Sequence, residues 1–341
     1  MADRRIARML HDDVPTLFEA PLSEDSNQDV VLVGVPYEGM LVADRYTLYP
    51  PGSRPPESFY ARFGADEAPD AIRKASVIYS LEHNGGVAAE LGFVSLSEAL
   101  SIVDVGNHNL DRAEEIAEQV ARSAGITVAL GGDHLVPLAL LRGRQRVRGE
   151  RVGVLIFDSH LDLHPSPPAW AGSQWRTLID EGHLRPEDLV IVGPRGVRQS
   201  LEEIAYAREN AVTVVPLQDV DELGLSAVCD QIVRQFRAVD AIYVSLDIDV
   251  VDPSFCPAQK YPDAAGFAPR EILTMMRRVT SARPLAGFDL CCFSPRYDEG
   301  GRGALLAARF ALEAVYARAR HTLGRGERLP RSETTPSSLG R

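Results

Sequence analysis

Residues 152–162 read VGVLIFDSHLD, and this stretch decides the fold prediction. Its first six residues are all apolar apart from one glycine, which is typical of a strand buried on both faces of a parallel sheet. Polar residues follow at once, because Asp158, His160 and Asp162 alternate with other residues. In an extended segment this alternation places the three side chains on one side. The stretch therefore predicts a buried strand with a polar site at its carboxyl end.

The same pattern of an apolar run followed by imidazole or carboxylate groups occurs twice more. Residues 126–134 read ITVALGGDH and end on His134, and residues 241–249 read AIYVSLDID and end on Asp247 and Asp249. In open parallel sheets, ligands bind beyond the carboxyl ends of the strands. We therefore expect these three strand ends to lie close together.

Apolar runs alternate with amphipathic stretches along most of the chain, for example at 112–124 and 225–238. Alternation of strands and helices predicts a mainly parallel sheet covered by helices on both faces. We favour one α/β/α domain, and an eight-stranded barrel is the structural alternative. The predicted strands are 30–35, 102–105, 126–130, 152–157, 189–193, 212–216, 241–247 and 284–290.

The chain has 341 residues, enough for two small domains or one large α/β domain. We expect an N-terminal extension over 1–29, a single catalytic domain over 30–322, and a tail over 323–341. The tail is polar and is predicted to be disordered. The Pro-rich stretch 47–57 is predicted to be a loop.

Composition and charge exclude several classes of protein. The net charge of −12 argues against nucleic-acid binding, which needs a basic surface. No apolar run is long enough to span a membrane, and the N-terminus lacks the apolar segment of a secretory signal. The four cysteines are too few and too clustered for a disulfide framework, which indicates a reducing compartment. We expect a cytoplasmic protein that binds a small molecule and neither nucleic acid nor membrane.

The polar residues at the three strand ends form a set that suits metal ions. Without a cation, close carboxylates and imidazoles would repel one another or lose their hydration. A His and carboxylate set without thiolate suits Mn²⁺, Zn²⁺, Fe²⁺ or Ni²⁺. Any one motif alone would more often be a turn or a helix cap, but three together favour two metal ions bridged by carboxylates. The six predicted ligands are His134, Asp158, His160, Asp162, Asp247 and Asp249.

The three motifs resemble those of the ureohydrolase superfamily, which includes arginase, agmatinase, guanidinobutyrase and formimidoylglutamase. GGDHL at 131–135, DSHLD at 158–162 and SLDIDVVDP at 245–253 are similar to the family patterns GGDHS, DAHxD and SxDxDxxDP. Weaker similarity extends from GVPYEG at 34–39 to GFDLCCFSPRYDEGG at 287–301. The resemblance implies the arginase-like three-layer α/β/α sandwich with an eight-stranded, mainly parallel sheet.

The resemblance also implies a cofactor and a reaction. Two Mn²⁺ ions per subunit would be bridged by Asp158 and Asp247, with His134 and Asp162 completing one site and His160 and Asp249 the other. The reaction implied is hydrolysis of a linear C–N bond at an amidino or formimino carbon, with Asp249 as a catalytic residue. Members of the family assemble as trimers or hexamers, so a homo-oligomer is expected.

Three departures from the family pattern predict an atypical substrate. Ala171 stands where many members have a His that shuttles protons, and no His lies within 165–182. Cys292 replaces the Glu that binds the substrate guanidinium, so a charge-assisted contact is lost. In the segment 257–266, bulkier and charged residues replace the glycines and threonines of the family's loop.

Four residues near these departures are predicted to bind substrate: His164, Cys292, Lys260 and Trp175. His164 is also a catalytic candidate that would replace the missing shuttle, and is otherwise a loop histidine. Lys260 would meet an anionic group of the substrate, and the alternative is a solvated surface lysine. Trp175 would line an apolar pocket or pack in the core.

The main hypothesis is therefore a dimanganese hydrolase with an atypical substrate. The alternative is a non-catalytic homologue that binds metal and acts as a scaffold or partner subunit. A third hypothesis is a deacetylase-type hydrolase with one Zn²⁺, and the six-ligand set counts against it.

Overall fold

The computed structural model describes most of the chain. The loop predicted at 47–57 lies outside the described residues except for 48–49, and so does the predicted tail beyond residue 324. The described residues are 9–11, 13–39, 41–42, 48–49, 62–147 and 149–324.

Eight strands of the described chain form one open sheet in which every neighbouring pair is parallel. Each of the eight predicted runs forms one of these strands. The order across the sheet is β6-β5-β4-β7-β8-β3-β1-β2, so the sheet has two free edges and the barrel alternative is wrong. The strands are β1 (Val30–Val35), β2 (Ile102–Asn107), β3 (Ile126–Gly131), β4 (Val152–Phe157), β5 (Leu189–Val192), β6 (Thr213–Val215), β7 (Ala241–Asp247) and β8 (Leu285–Cys291).

Ten α-helices of the described chain cover the two faces of this sheet, which gives the predicted three layers. Helices α3, α4 and α5 pack on one another in one layer, and α1, α8, α9 and α10 pack on one another in the other. The helices are α1 (Ala68–Ser76), α2 (Leu96–Ala99), α3 (Leu110–Arg122), α4 (Val136–Gln145), α5 (Gln174–Asp180), α6 (Leu201–Glu209), α7 (Leu217–Leu223), α8 (Leu225–Gln235), α9 (Pro269–Ala282) and α10 (Arg302–Leu323).

The helices predicted at 112–124 and 225–238 have different ends in the structure, for local reasons. Helix α3 begins before residue 112 because the Asn109 side chain accepts a hydrogen bond from the Arg112 backbone N–H and caps the helix. Helix α8 ends at Gln235, and the next three residues, Phe236–Ala238, form a 3₁₀ turn. None of the described helices combines the length and the apolar character that crossing a membrane requires.

Part of the predicted N-terminal extension packs onto the domain. Leu17 and Phe18 are fully buried, and the Leu17 backbone N–H donates to the Asp104 carboxylate on β2. Asp104 also accepts two hydrogen bonds from the fully buried Arg73 guanidinium of α1, each at 2.9 Å. Residues just before β1 are therefore joined to the core by a buried, charge-assisted network.

The strand order brings the three predicted metal motifs together. Strands β4, β7, β8 and β3 are consecutive in the middle of the sheet, and their carboxyl ends lie at Phe157, Asp247, Cys291 and Gly131. Both faces of these strands are buried, which explains their uninterrupted apolar sequences. Each polar motif begins where its strand ends.

Candidate metal centre

His134 is the centre of a first group of potential ligands. Its Nδ1 atom lies 3.0 Å from Asp158 Oδ2, 2.9 Å from Asp162 Oδ2 and 3.4 Å from Asp247 Oδ2. All four residues are buried. The histidine follows β3 and the three carboxylates follow β4 and β7, so only the folded sheet brings this group together.

His160 is the centre of a second group. Its Nδ1 atom lies 3.3 Å from Asp158 Oδ1 and 3.1 Å from Asp249 Oδ2. Asp158 therefore presents one carboxylate oxygen to each group. The donor atoms of His134, Asp158 and Asp162, and those of Asp158, His160 and Asp249, lie close enough to share a metal ion. This geometry is compatible with the predicted bridging by Asp158, although Asp158 Oδ1 also accepts the His160 backbone N–H at 2.7 Å. Asp247 Oδ1 likewise accepts the Asp249 backbone N–H at 3.0 Å, and bridging by either residue stays a prediction.

Burial and mutual repulsion shift the pKa values of these groups. Burial raises the pKa of Asp247 well above its usual range, and the charges of Asp249 and Asp158 raise it further. Burial and the Asp158 charge raise the pKa of Asp162 to about 6. Burial would lower the pKa of His134, but bonds to carboxylates outweigh it and the pKa is raised well above its ordinary value.

The donor atoms themselves fit a divalent metal ion. Among the described residues, Asp158 Oδ2 and Asp249 Oδ2 are buried, and each faces an imidazole Nδ1 atom, of His134 at 3.0 Å and of His160 at 3.1 Å. The Ser245 hydroxyl donates to Asp289 Oδ1 at 2.9 Å, so it accepts at 2.9 Å from a proton on His134 Nε2. His134 Nδ1 is thus directed at carboxylate oxygens, an arrangement that a cation stabilises. Histidine and carboxylate donors suit Mn²⁺ and related ions.

Neighbouring residues hold the first group in place. The Gln174 amide donates to Asp162 Oδ2 at 2.7 Å. Asp162 has a φ of +51°, so the segment 158–162 is not extended at this point, in contrast to the sequence expectation. The Trp175 ring contacts His134 edge-on at 5.5 Å and is fully buried. The ring thus packs against a candidate ligand, as the core-packing alternative expects, and the prediction that Trp175 binds substrate stays a prediction.

Arg195 holds the second group in place, and the sequence analysis missed it. Its guanidinium donates to the carbonyl oxygens of Asp249 at 2.6 Å, Val250 at 3.3 Å, Asp263 at 2.8 Å and Ala264 at 3.1 Å. A planar guanidinium can satisfy several acceptors at fixed angles. Arg195 therefore joins the loop that carries Asp249 to the segment 257–266.

Ser245 and Asp289 were also missed as functional residues, although both lie in quoted motifs. They are polar residues at fully buried positions of the apolar strands β7 and β8. A polar residue within an apolar strand is a signal that the sequence does contain, since a buried polar group on a central strand needs a partner. The sequence does not show which residue that partner is.

His164 lies at the edge of the candidate centre. Its ring is about one-third exposed, stacks on Trp170 at 5.2 Å and places Nε2 3.3 Å from Glu203 Oε2. Glu203 is buried and also accepts the backbone N–H of Leu163 at 3.1 Å. The structure thus gives His164 access to solvent and an acidic partner, and its predicted catalytic and substrate-binding roles stay predictions.

Cys292 follows β8 directly and lies against the metal motifs. It has a φ of +63°, and its backbone N–H donates to the Gly132 carbonyl at 2.7 Å. Its thiol is hydrogen-bonded to Asp247, and burial, with the Asp247 charge, raises its pKa well above the ordinary value. Cys292 therefore presents an uncharged thiol beside a candidate ligand. Its predicted contact with substrate stays a prediction.

Lys260 is not a surface lysine. It is fully buried, and its Nζ atom lies 3.1 Å from Glu38 Oε1 and 3.6 Å from Asp133 Oδ2. The surface alternative is therefore wrong, and the predicted contact of Lys260 with substrate stays a prediction. The burial depends on tertiary structure, because the two carboxylates come from segments more than 120 residues earlier in the chain.

The fold and the site define an arginase-fold α/β protein with two groups of metal-binding type at the centre of its sheet. The model of the Arginase family matches residues 28–317. Proclavaminate amidinohydrolase from Streptomyces clavuligerus is 32% identical over 320 residues, which cover 90% of this chain and 94% of that protein. Its structure matches with a TM-score of 0.76 at 30% identity, over 90% of this chain and 98% of that one. Guanidinopropionase from Pseudomonas aeruginosa is 28% identical, over 89% of this chain and 91% of that protein.

The chain therefore belongs to the arginase family, as its motifs predicted. Enzymes of this family hydrolyse C–N bonds and contain binuclear metal sites.

Binding of Mn²⁺ is expected to weaken as the pH falls. The raised pKa values of Asp162, about 6, and of Asp247 mean that protons compete with the metal. A carboxylate whose pKa is raised by folding destabilises the metal-free protein once the pH rises above the pKa of that carboxylate in the unfolded chain. A bound metal ion offsets the negative charge and removes this destabilisation. Apparent affinity should fall by about tenfold per pH unit for each displaced proton below its pKa. Calorimetric titration with Mn²⁺ at pH values above and below 6 measures this fall in affinity, and an affinity that does not change with pH would contradict the prediction.

Replacement of Arg195 by Lys is expected to weaken Mn²⁺ binding by roughly 10–100-fold, the effect typical of residues that orient metal ligands. Lysine keeps the charge but cannot reach four carbonyl oxygens at once. Inductively coupled plasma measurement of bound metal after dialysis, together with circular dichroism, separates this effect from misfolding. Arg185→Lys, at an exposed position, is the matched control and should leave metal content unchanged.

Proposed function

We propose that the chain is a dimanganese-dependent hydrolase of a linear C–N bond, of the amidino or formimino type, with an atypical substrate. The observation that carries the proposal is the Asp158 carboxylate, which lies between the His134 and His160 groups and offers one oxygen to each. Such a shared carboxylate is what a two-metal hydrolytic site requires. Family membership supports the reaction class.

His134, Asp158, Asp162 and Asp247 would hold one ion, and His160, Asp158, Asp247 and Asp249 the other. Bound there, two divalent ions would lower the pKa of a water molecule and offset negative charge that develops at the reacting carbon. Asp249 has one oxygen fixed by the Ser159 backbone N–H at 3.1 Å and the other 3.1 Å from His160 Nδ1. This fixed orientation suits Asp249 for its proposed catalytic role.

His164 is proposed to exchange protons with solvent in place of the shuttle that Ala171 has replaced. Its ring is partly exposed, and Glu203 lies within 3.3 Å of Nε2. Histidine is the side chain that most often relays protons in enzymes, and the partly exposed ring of His164 has a route to solvent. We also propose that His164 contacts the substrate, because it is the exposed imidazole of the segment that follows Asp162.

The substrate is proposed to be a small linear molecule that differs from a simple guanidine. The relatives' names, proclavaminate amidinohydrolase and guanidinopropionase, point to linear guanidino compounds. In this chain the thiol of Cys292 is hydrogen-bonded to Asp247 and offers no negative charge to a planar cation. Neither a nucleic acid nor a membrane is proposed as a partner.

A mass-spectrometric turnover screen tests the proposed function. Mn²⁺-loaded protein would meet a panel of guanidino, acylguanidino, formimino and amide compounds, beside Asp249→Ala and the surface control Asp221→Ala. A product formed by the wild type and the surface control, and lost by orders of magnitude in Asp249→Ala, is expected. Urea, formamide or ammonia in the reaction then identifies the bond that is cut. Turnover unaffected by Asp249→Ala, or no turnover by protein with two metals per chain, would favour the non-catalytic alternative.

We further propose that the chain assembles as a homo-oligomer, a trimer or a hexamer, as the family resemblance implies. Size-exclusion chromatography with light scattering measures the mass of the assembly directly. A mass equal to that of one 37.2 kDa chain would exclude this proposal.

A further inference from the structure

An arginine side chain lies directly against the second metal group. Arg198 belongs to the loop after β5, and its Nη1 atom lies 3.5 Å from Nε2 of the candidate ligand His160. The His160 side chain is 19% exposed and Arg198 is half-buried, so both side chains are partly open to solvent. With Tyr261 these two residues form a group that we call the arginine rim.

Tyr261 holds the other two members of the arginine rim side by side. Its carbonyl oxygen accepts a hydrogen bond from Arg198 Nη1 at 3.1 Å, and its ring faces the guanidinium at 5.7 Å. The same ring contacts the His160 ring edge-on at 6.1 Å. The guanidinium is therefore positioned by a backbone group and an aromatic face, and not by the imidazole alone.

The loop that carries Arg198 is anchored on both sides to the metal motifs. Before it, the Arg195 guanidinium donates to the Asp249 carbonyl at 2.6 Å. After it, the Gln199 amide donates to the Ser159 carbonyl at 2.8 Å. The guanidinium of Arg198 is thus held at a fixed place beside the second metal group. A group that is already in position binds a ligand at a lower cost in entropy.

The contact between Arg198 and His160 joins two hydrogen-bond donors when the second metal group is occupied. His160 Nδ1 faces oxygens of Asp158 and Asp249, which is the side where a metal ion would bind. A neutral imidazole that binds a metal through Nδ1 carries its hydrogen on Nε2. A guanidinium has only donors. Neither group can then accept from the other, whereas an oxygen atom placed beside them can accept from both.

The charge of the arginine rim favours an anionic oxygen in that position. Two divalent ions would offset the four carboxylates that are predicted to hold them, Asp158, Asp162, Asp247 and Asp249. Arg198 then adds one positive charge next to the imidazole N–H. A carboxylate accepts charge-assisted hydrogen bonds from a guanidinium, and its planar shape matches the planar donor. A cationic or amide nitrogen in the same position would meet donors with a donor.

We propose that Arg198, together with the Nε2–H group of His160, is a specificity-determining residue that binds a carboxylate at the far end of the substrate. It selects linear substrates that carry the scissile C–N bond at one end and an anionic group at the other. Because Nε2 and Nδ1 belong to one imidazole ring, the carboxylate would lie one ring away from the second metal group, and a short chain would join the two ends. This inference deepens the proposed function and rests on it for the type of reaction.

Binding of two matched compounds to the Mn²⁺-loaded protein tests the proposal. Succinamate and succinamide share a chain and one carboxamide, and they differ in whether the other end is a carboxylate or a second carboxamide. By calorimetry, the wild type should bind succinamate at least tenfold more tightly than succinamide. Arg198→Gln should reduce this preference at least tenfold, as for the loss of a hydrogen bond between charged groups. A preference that persists in Arg198→Gln would show that the carboxylate binds the metal ions instead, and it overturns the proposal. Equal binding of both compounds by the wild type, or binding of neither, overturns it as well.

Arg208→Gln is the matched control for Arg198→Gln. Arg208 is exposed on α6, and the change removes the same charge. The control should keep the preference for succinamate, and an equal loss in both variants would show a general effect of charge without a contact. Arg198→Lys keeps the charge but not the planar donor, and it should restore at most part of the preference. Bound Mn²⁺ per chain should be the same in all three variants as in the wild type, because Arg198 is proposed to bind substrate and not metal; a loss of metal in Arg198→Gln would assign it a structural role.

Turnover of the compound found in the screen gives an independent readout. Arg198→Gln should raise KM at least tenfold and change kcat by less than about threefold, because the contact lies away from the reacting carbon and is made equally before and during the reaction. A fall in kcat with an unchanged KM contradicts this role.

Failure of the proposed function is distinguishable from failure of this inference. An inactive protein that prefers succinamate, and loses this preference in Arg198→Gln, would retain the specificity role and lose the hydrolase role. A protein that hydrolyses compounds without an anionic end as fast as compounds with one would do the opposite.

Discussion

Replacement of Asp158 by Asn is expected to abolish metal-dependent turnover, with a loss on the order of 10³-fold or more, as for removal of one member of a catalytic unit. Asn keeps the size of the side chain but removes the negative charge. It also has one side-chain oxygen, whereas the His134 group and the His160 group each use one oxygen of Asp158. Both ions should therefore be lost, not one. The measurements are bound Mn²⁺ per chain, turnover of the compound found in the screen, and the rise in Tm on addition of Mn²⁺.

Asp221→Asn serves as the control for this substitution, since Asp221 is exposed on α7 and changes charge in the same way. It should bind two ions and keep the metal-induced rise in Tm. An Asp158→Asn variant that retains two ions per chain would show that the carboxylate is not shared. Retention of one ion would place Asp158 in a single site.

Replacement of Gly132 by Ala is expected to have the largest effect on stability. A Cβ atom at this position would lie 1.8 Å from the Tyr37 carbonyl oxygen and 2.7 Å from the Tyr37 backbone nitrogen. Backbone cannot move as a side-chain tip does, so the segments after β1 and β3 must separate. We expect a loss of about 3 kcal/mol or more in the free energy of unfolding, which corresponds to a fall in Tm of roughly 4 °C or more for a chain of this length. Metal affinity should fall as well, because His134 follows two residues later.

Gly149→Ala is the matched control for Gly132→Ala. Gly149 is exposed, and an added Cβ atom there would meet nothing within 4 Å. Its effect on the free energy of unfolding should stay within about 0.5 kcal/mol. Equal midpoints of urea denaturation for the two alanine variants would contradict the close approach of Tyr37 to Gly132.

The strands were predictable because a strand buried on both faces leaves a local signal. An uninterrupted apolar run such as 152–157 is recognisable without knowledge of any other part of the chain. The ligand candidates were predictable for a similar reason, since metal-binding groups follow the carboxyl ends of such strands in short motifs. The resemblance of DSHLD and SLDIDVVDP to family patterns then indicated which of these ligand candidates would hold the same metal ion.

The burial of Lys260 and Trp175 was not predictable in this way. Lys260 lies in a polar loop sequence, and its burial depends on carboxylates at positions 38 and 133. The sequence left open whether Trp175 lines a pocket or packs in the core. In the structure its ring packs against His134, 41 positions earlier in the chain. A local sequence pattern shows which residue types are present. It does not show which distant residues will contact a charged or aromatic side chain and so stabilise it when it is buried.

The sequence by itself determined the class of fold, the eight parallel strands and the six candidate ligands, because each depends on a local pattern. Only the tertiary structure decided that Asp158 lies between two ligand groups, that Arg195 holds the Asp249 loop, and that the Lys260 ammonium lies against Glu38 and Asp133. These facts depend on contacts between segments far apart in the chain. Their energies arise from charge and hydrogen bonding at short distance, which the order of residues does not specify.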